Sequence, residues 1–128
     1  MPRFTFKKQE RLSSLKAIEE LYQSGSSFNI SGFRIVFRLV KEAQQAPCQV
    51  VFSVPKKSFK RAVDRNLIKR RMREAYRLNK NELYEHLMKR QVNMHLLFIY
   101  TAREISTSAE ISQGMLKGLQ NLIQKADN

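Results

Sequence analysis

The chain has 128 residues, 42% of them hydrophobic. That suits one core and a single domain spanning residues 1–128, and excludes a disordered or low-complexity polymer. Its 24 Lys+Arg against 11 Asp+Glu give a formal charge of +13, far beyond the roughly 2–8 that solubility asks of a small domain, so a polyanionic partner is predicted. No apolar run of about 18 residues, no secretory segment and no basic amphipathic helix backed by bulky aromatics occurs, which places nucleic acid ahead of a membrane and predicts a cytoplasmic protein.

Residues 1–11 are basic and polar, with Phe4 and Phe6 interspersed, and predict an extended arm packed loosely on the domain and anchored by its two phenylalanines. Ser13 or Ser14 supplies an N-cap for a short helix carrying Leu15, Ile18, Leu21 and Tyr22 at helical spacing, and Gly25 stops it. From Phe28 to Val40 the period falls to two: Phe33, Ile35, Phe37 and Leu39 share one face, while Arg34, Val36 and Arg38 share the other. The β-branched run from Cys48 to Val54, ended by Pro55, predicts a second strand, and the two suggest an antiparallel hairpin. A long helix free of Gly and Pro follows from Arg61 to Lys80. Residues Val92 to Tyr100 predict a strand buried on both faces. Thr107 and Glu110 have capping-box spacing ahead of a last helix whose stripe is Ile111, Met115, Leu119, Leu122 and Ile123. Helices packed on one sheet, an α+β sandwich, accommodate this order in one domain.

Nothing along the way has metal-ligand or catalytic spacing. Cys48 is the one cysteine, so no internal disulfide is available, and neither His86 nor His95 sits in a Cys/His cluster. Both histidines are read as surface or core-edge residues.

The chemistry gathers on the long helix. At about 100° per residue, Arg61, Arg65, Asn66, Lys69, Arg70, Arg73 and Arg77 fall along one half, with Ala62 and Tyr76 among them. Leu67, Ile68, Met72, Ala75 and Leu78 fill much of the other half. Arg71 lies inside the apolar arc and is expected to snorkel to its edge. A salt-bridged solvent face would carry carboxylates four residues from its cations. Only Asp64 and Glu74 occur in the segment, whereas Lys56, Lys57 and Lys60 enter just before it. Guanidinium forks grip phosphates and stack on bases, and the Asn66 amide can meet a base edge or a 2′-hydroxyl.

The run Phe52-Ser-Val-Pro-Lys-Lys57 with Arg61-Ala-Val-Asp-Arg-Asn-Leu-Ile-Lys-Arg-Arg-Met-Arg-Glu-Ala-Tyr-Arg77 resembles the signature of the bacterial ribonuclease P protein component. The Arg-Leu beginning at Arg11 and the flanking elements extend the likeness from about Lys7 to Lys125. The resemblance implies an α-β-β-β-α-β-α arrangement of ribosomal-protein type, with a four-stranded sheet and a left-handed crossover carrying the basic helix. It implies that Lys56, Lys57, Arg61, Arg65, Asn66, Lys69, Arg70 and Arg73 meet the catalytic RNA. It further implies that a cleft lined by Ile18, Tyr22, Arg34, Val36 and Ser53 holds the single-stranded 5′ leader of precursor tRNA. Leu67 stands where many members carry a basic residue, and Ile18 where some carry phenylalanine.

The expected function is that of the accessory subunit of ribonuclease P. It binds the catalytic RNA and the leader, and has no catalytic residue, no protein-bound metal or cofactor, and no DNA partner of its own. Mg²⁺ would belong to the RNA holoenzyme. A ribosomal or other structured-RNA-binding protein fits the composition equally, and only the motif spacing separates the two. A self-sufficient nuclease would need a carboxylate cluster, but Asp64 and Glu74 are about 15 Å apart along a helix. A helix-turn-helix DNA binder would need a second helix after a short turn, which is not predicted here.

Overall fold

In a computed structural model that describes residues 6–41, 44 and 46–126, the short 3₁₀ turn Lys8–Glu10 precedes helix α1, Leu15–Ser24. Ser14 is the N-cap, its Oγ accepting from the Ala17 amide at 3.2 Å. Gly25 ends the helix in an extended conformation, φ −74°, rather than the left-handed one common at helix ends. Its need for glycine is spatial, since a Cβ there would lie 2.8 Å from Val36 Cγ1.

The segment read as one long strand is two. Strand β1 is Ser26–Ile30 and β2 is Phe33–Val40, paired antiparallel around Ser31 and Gly32. Both turn residues have positive φ, 45° and 86°, the backbone of a two-residue hairpin turn matched to strand twist. Leu39, expected inward, is 42% exposed, and Val40 is buried in its stead.

Strand β3, Cys48–Ser53, does not form the predicted hairpin with β2. It runs parallel to β4, Asn93–Tyr100, which lies between them and pairs antiparallel with β2. The sheet order is β1-β2-β4-β3. A parallel pair needs a long crossover, and two helices provide it. Helix α2 is Ala62–Asn79, and α3, Asn81–Arg90, is a further helix not expected from the sequence periodicity. Leu83 and Leu87 of α3 are fully buried, and Gln91 ends it in the left-handed conformation. Helix α4, Ser108–Ala126, has the predicted capping box: the Thr107 amide donates to Glu110 Oε1 and the Glu110 amide to Thr107 Oγ1.

One face of the sheet, with Phe33, Ile35, Phe98 and Leu96, packs under α2, α3 and α4 as the main core. The opposite face is covered in part by α1, where Leu12 and Leu21 meet Val36 and Leu97.

The described part of the arm, from Phe6 onward, is bound firmly, contrary to the loose packing expected; Phe4 lies outside the described residues. Phe6 packs edge-on to Tyr76, ring centroids 5.9 Å apart. The Leu12 amide donates to the Val50 carbonyl at 2.9 Å. Glu10 and Lys80, 6% and 3% exposed, form a buried ion pair. The Tyr84 hydroxyl also donates to Glu10, at 2.7 Å, and Tyr76 donates to Tyr84 at 3.1 Å.

Candidate RNA-binding surface

Entry to α2 is pinned by two buried side chains, Val54 and Phe59, the latter against Tyr100. Anchoring both ends of the segment leaves Lys56, Lys57 and Lys60 exposed between and just after them. Arg65 then folds back: its Nη1 donates to the carbonyls of Phe59 at 2.8 Å and Lys60 at 2.9 Å. Part of its hydrogen-bonding capacity therefore holds the lysine loop against the helix.

Along α2 the buried stripe is Ile68, Met72, Ala75 and Tyr76. By helical spacing Tyr76 falls among the cations, but it is fully buried and hydrogen-bonded to Tyr84. Asn66 and Arg70 are exposed on the opposite side, Arg61 is exposed at the N-cap, in line with the buried stripe but beyond its end, and Arg65, Lys69 and Arg73 are half-buried at the margin. Arg71 is drawn out of the apolar arc by a 2.6 Å bond from its Nη1 to the Ser106 carbonyl, which ties α2 to the approach of α4. Leu67 lines a groove of about 580 Å³ between α2 and the start of α4, with Leu78 and Ala109 nearby, so an apolar residue suits its place.

The two acids of α2 lie at opposite ends of the row. Arg61 is 4.0 Å from Asp64 while remaining largely exposed. Arg77 is ion-paired with Glu74, whose carboxyl is held below the ordinary glutamate range by that hydrogen bond. Among the described residues, Arg65, Lys69, Arg70 and Arg73 form no ion pair with either acid, whose partners are Arg61 and Arg77, so positive charge dominates there. The predicted row thus exists, less Arg77 and Tyr76.

The second candidate surface follows from strand register. On the α1 face, Val36, Leu97 and Val51 lie side by side, and one row along stand Arg34, Ile99 and Ser53. Helix α1 covers the first row and leaves the second beside it: Arg34 exposed, Ile99 and Ser53 half-buried. Ile18 packs against this cluster, and Tyr22, one turn on and on the same side of α1, is 61% exposed. Val36 is buried at 4% and is therefore a floor under α1 rather than a wall open to a ligand. The other flank of α1 is closed by an ion pair from Arg38 to Glu20 at 2.8 Å.

Among the described residues no group of three or more His, Cys, Asp or Glu side chains could hold a metal ion. No helix among them is long and apolar enough to cross a membrane. Chemically, the molecule offers cations, an aromatic ring and apolar strips.

The family model for ribonuclease P matches residues 6–127. A ribonuclease P protein component from Porphyromonas gingivalis strain W83 is 37% identical over 118 residues, covering 92% of this chain and 86% of that one. The chain belongs to the ribonuclease P protein component family. The component from Chlorobaculum tepidum is 42% identical over 95 residues, covering 68% of this chain and 61% of its own length. The Staphylococcus aureus RNase P protein has the same fold at TM-score 0.70 and 22% identity, over 90% of this chain and 95% of that one. The Thermotoga maritima protein matches at TM-score 0.69 and 20% identity, over 88% and 96%. As a ribonuclease P protein component, the chain is the accessory subunit of an enzyme that pairs it with RNA and matures tRNA 5′ ends. The basic surface of α2 fits that RNA partner.

What residue periodicity could not find is how the surfaces are held. Arg65 bonding to its own loop, and the arm fastened by Glu10 and Lys80, are non-local; the signal nearest to them was the Arg-Leu pair at Arg11.

Proposed function

We propose that Lys56, Lys57, Arg61, Arg65, Asn66, Lys69, Arg70 and Arg73 form the contact with ribonuclease P RNA, and that Ile18, Tyr22, Arg34 and Ser53, over a floor that includes Val36, receive the 5′ leader of precursor tRNA. The setting is the cytoplasm. The observation that carries the reading is the cationic run from Lys56 to Arg73, one-sided because the other side of α2 is sunk in the core. Its cations lower the cost of bringing phosphates together, and the fixed helix sets their spacing before any RNA arrives. Tyr22 offers a ring face on which a base can stack, and Arg34 a guanidinium for the adjoining phosphate.

No side chain of this protein breaks a bond in the proposed mechanism. Mg²⁺ held by the RNA would supply an activated water, and the protein's work is to bind and orient. The deciding experiment adds the protein to a ribonuclease P RNA and follows precursor-tRNA cleavage at low Mg²⁺. Cleavage should rise with protein added, and RNA binding without any rise would overturn the reading. In the same assay Tyr22→Ala should reduce the preference for leader-bearing over mature tRNA; equal losses for the two would remove the leader from this strip.

A further inference from the structure

A third basic surface lies between these two. The edge of β3 borders a groove of about 490 Å³, with Phe6 and Arg11 of the arm on one side and Lys69 and Arg73 of α2 on the other. Val51 and Phe52 lie between them, and no carboxylate is among its lining residues. Glu10, adjacent to Arg11 in sequence, is turned inward onto Lys80 and so does not neutralise it. The Arg11 guanidinium lies over the Phe6 ring, 5.5 Å from its centroid.

The groove is built rather than incidental. Arg11 bridges to Val50 in a parallel fashion, and the following amide, Leu12, bonds to the Val50 carbonyl. Together with the buried Glu10–Lys80 pair this fixes the arm in one register on β3. A buried ion pair adds little net stability, and its best-attested use is to specify one arrangement. Here the arrangement specified is the one that holds Arg11 opposite Lys69 and Arg73.

Position decides the occupant. At one end, β3 passes from Phe52 to Ser53 on the leader strip, and the arm passes through Ser13 into α1. At the other, Lys69 and Arg73 belong to the α2 row. Cations over an aromatic and apolar floor suit a single strand, whose phosphates meet charge while a base meets a ring or aliphatic surface. We propose that the groove holds the continuation of the single-stranded 5′ leader, with Arg11 on its phosphates and Phe6 beside a base, while Lys69 and Arg73, committed to the ribonuclease P RNA, close its far side. This rests on the leader strip assigned above, which the groove extends.

The test uses the complex with ribonuclease P RNA and two substrates, a precursor tRNA with a long leader and one with a single-nucleotide leader. Arg11→Gln should weaken binding of the long-leader substrate about tenfold, the loss expected of one charge-assisted contact, and leave the short-leader substrate unchanged. Arg11→Lys should recover part of the loss. Equal losses on both substrates, with Tyr22→Ala still leader-selective, would overturn the groove and give Arg11 to the RNA subunit. If Tyr22→Ala also lost its selectivity, the leader strip itself would fall. A measurement on the unaltered protein guards against misfolding of the variant: a long leader bearing photoreactive 4-thiouridine should cross-link within Phe6–Ser13, and cross-links confined to other segments would refute the proposal.

Discussion

Arg70 and Arg71 are neighbours in sequence with different work to do. Arg70 is exposed on the cationic side of α2, and Arg71 spends a guanidinium nitrogen on the Ser106 carbonyl. Arg70→Ala should weaken RNA binding and leave the urea midpoint unchanged. Arg71→Ala should cost about 1–2 kcal/mol of stability with a smaller effect on RNA affinity. Affinity and urea titrations of both variants check this, and an RNA defect confined to Arg71→Ala would reverse the assignment. Glu10 and Lys80 allow a sharper case. Lys80→Met leaves a buried carboxylate without its main counter-charge, which costs about 3–5 kcal/mol, and adding Glu10→Gln should restore much of the loss. Burial pushes the Glu10 carboxyl up, but bonds from the Lys7 amide, Lys80 and Tyr84 outweigh it and hold the group below its ordinary range. A depressed folded pKa means that its stabilisation is complete above the unfolded glutamate value, about 4.3, and disappears as pH falls through the lower folded value. Urea stability should therefore drop in acid below pH of about 4, and Glu10→Gln should lack that part of the drop. Burial also pushes the Cys48 thiol up to about 12, so thiol reagents at mild pH should modify it only as fast as the protein opens.

At the level of elements, the parts legible in the sequence are those whose signals are local. Ser14 and Gly25 bound α1, Thr107 and Glu110 start α4, and β4 announces itself by apolar residues on both faces. The β1–β2 turn leaves a trace that one continuous strand does not explain: the apolar positions are even before it, Phe28 and Ile30, and odd after it, Phe33, Ile35 and Phe37, so the alternation slips at Ser31-Gly32 and marks a break in the strand. Positive φ at Ser31 and Gly32 is what breaks it. Gly32→Ala should accordingly cost about 1–2 kcal/mol, and Gly32→Asn less, because asparagine tolerates that conformation; thermal melts of the two variants decide. Pairing left no such trace. β2 and β3 are successive strands, and only the α2–α3 crossover, with Leu83 and Leu87 buried beneath α3, lets β4 come between them. The site divides in the same way. The cationic side of α2 could be read from spacing, whereas Tyr76 looked like part of it until the sheet and α3 supplied a core and a hydroxyl partner. The loop held by Arg65 needed a fold before it could be seen.

For the whole molecule, the +13 charge acts in opposite senses on folding and on binding. Several acids are spent internally: Glu10 on Lys80, Glu20 on Arg38, and Glu74 on Arg77. The surplus is left on α2, the loop before it and the β3 groove, where the cations repel one another in the free protein. Added salt screens that repulsion over a Debye length of about 10 Å at 0.1 M. Raising NaCl should therefore raise the urea midpoint of the free protein. RNA binding depends on release of counterions from phosphates, so its affinity should fall steeply over the same range. Replacing Lys69 with Ala should flatten the slope of log affinity against log salt by about one phosphate contact and, by removing a repelling charge, leave the free protein no less stable at low salt. Arg65→Ala should flatten the slope less and destabilise more, because its Nη1 is committed to the Phe59 and Lys60 carbonyls. Parallel salt titrations of folding and of RNA binding separate the two residues. If both variants changed the slope equally and neither changed stability, the fold-back of Arg65 would have no part in presenting the loop, and the lysines at 56 and 57 would owe their placement to Val54 and Phe59 alone.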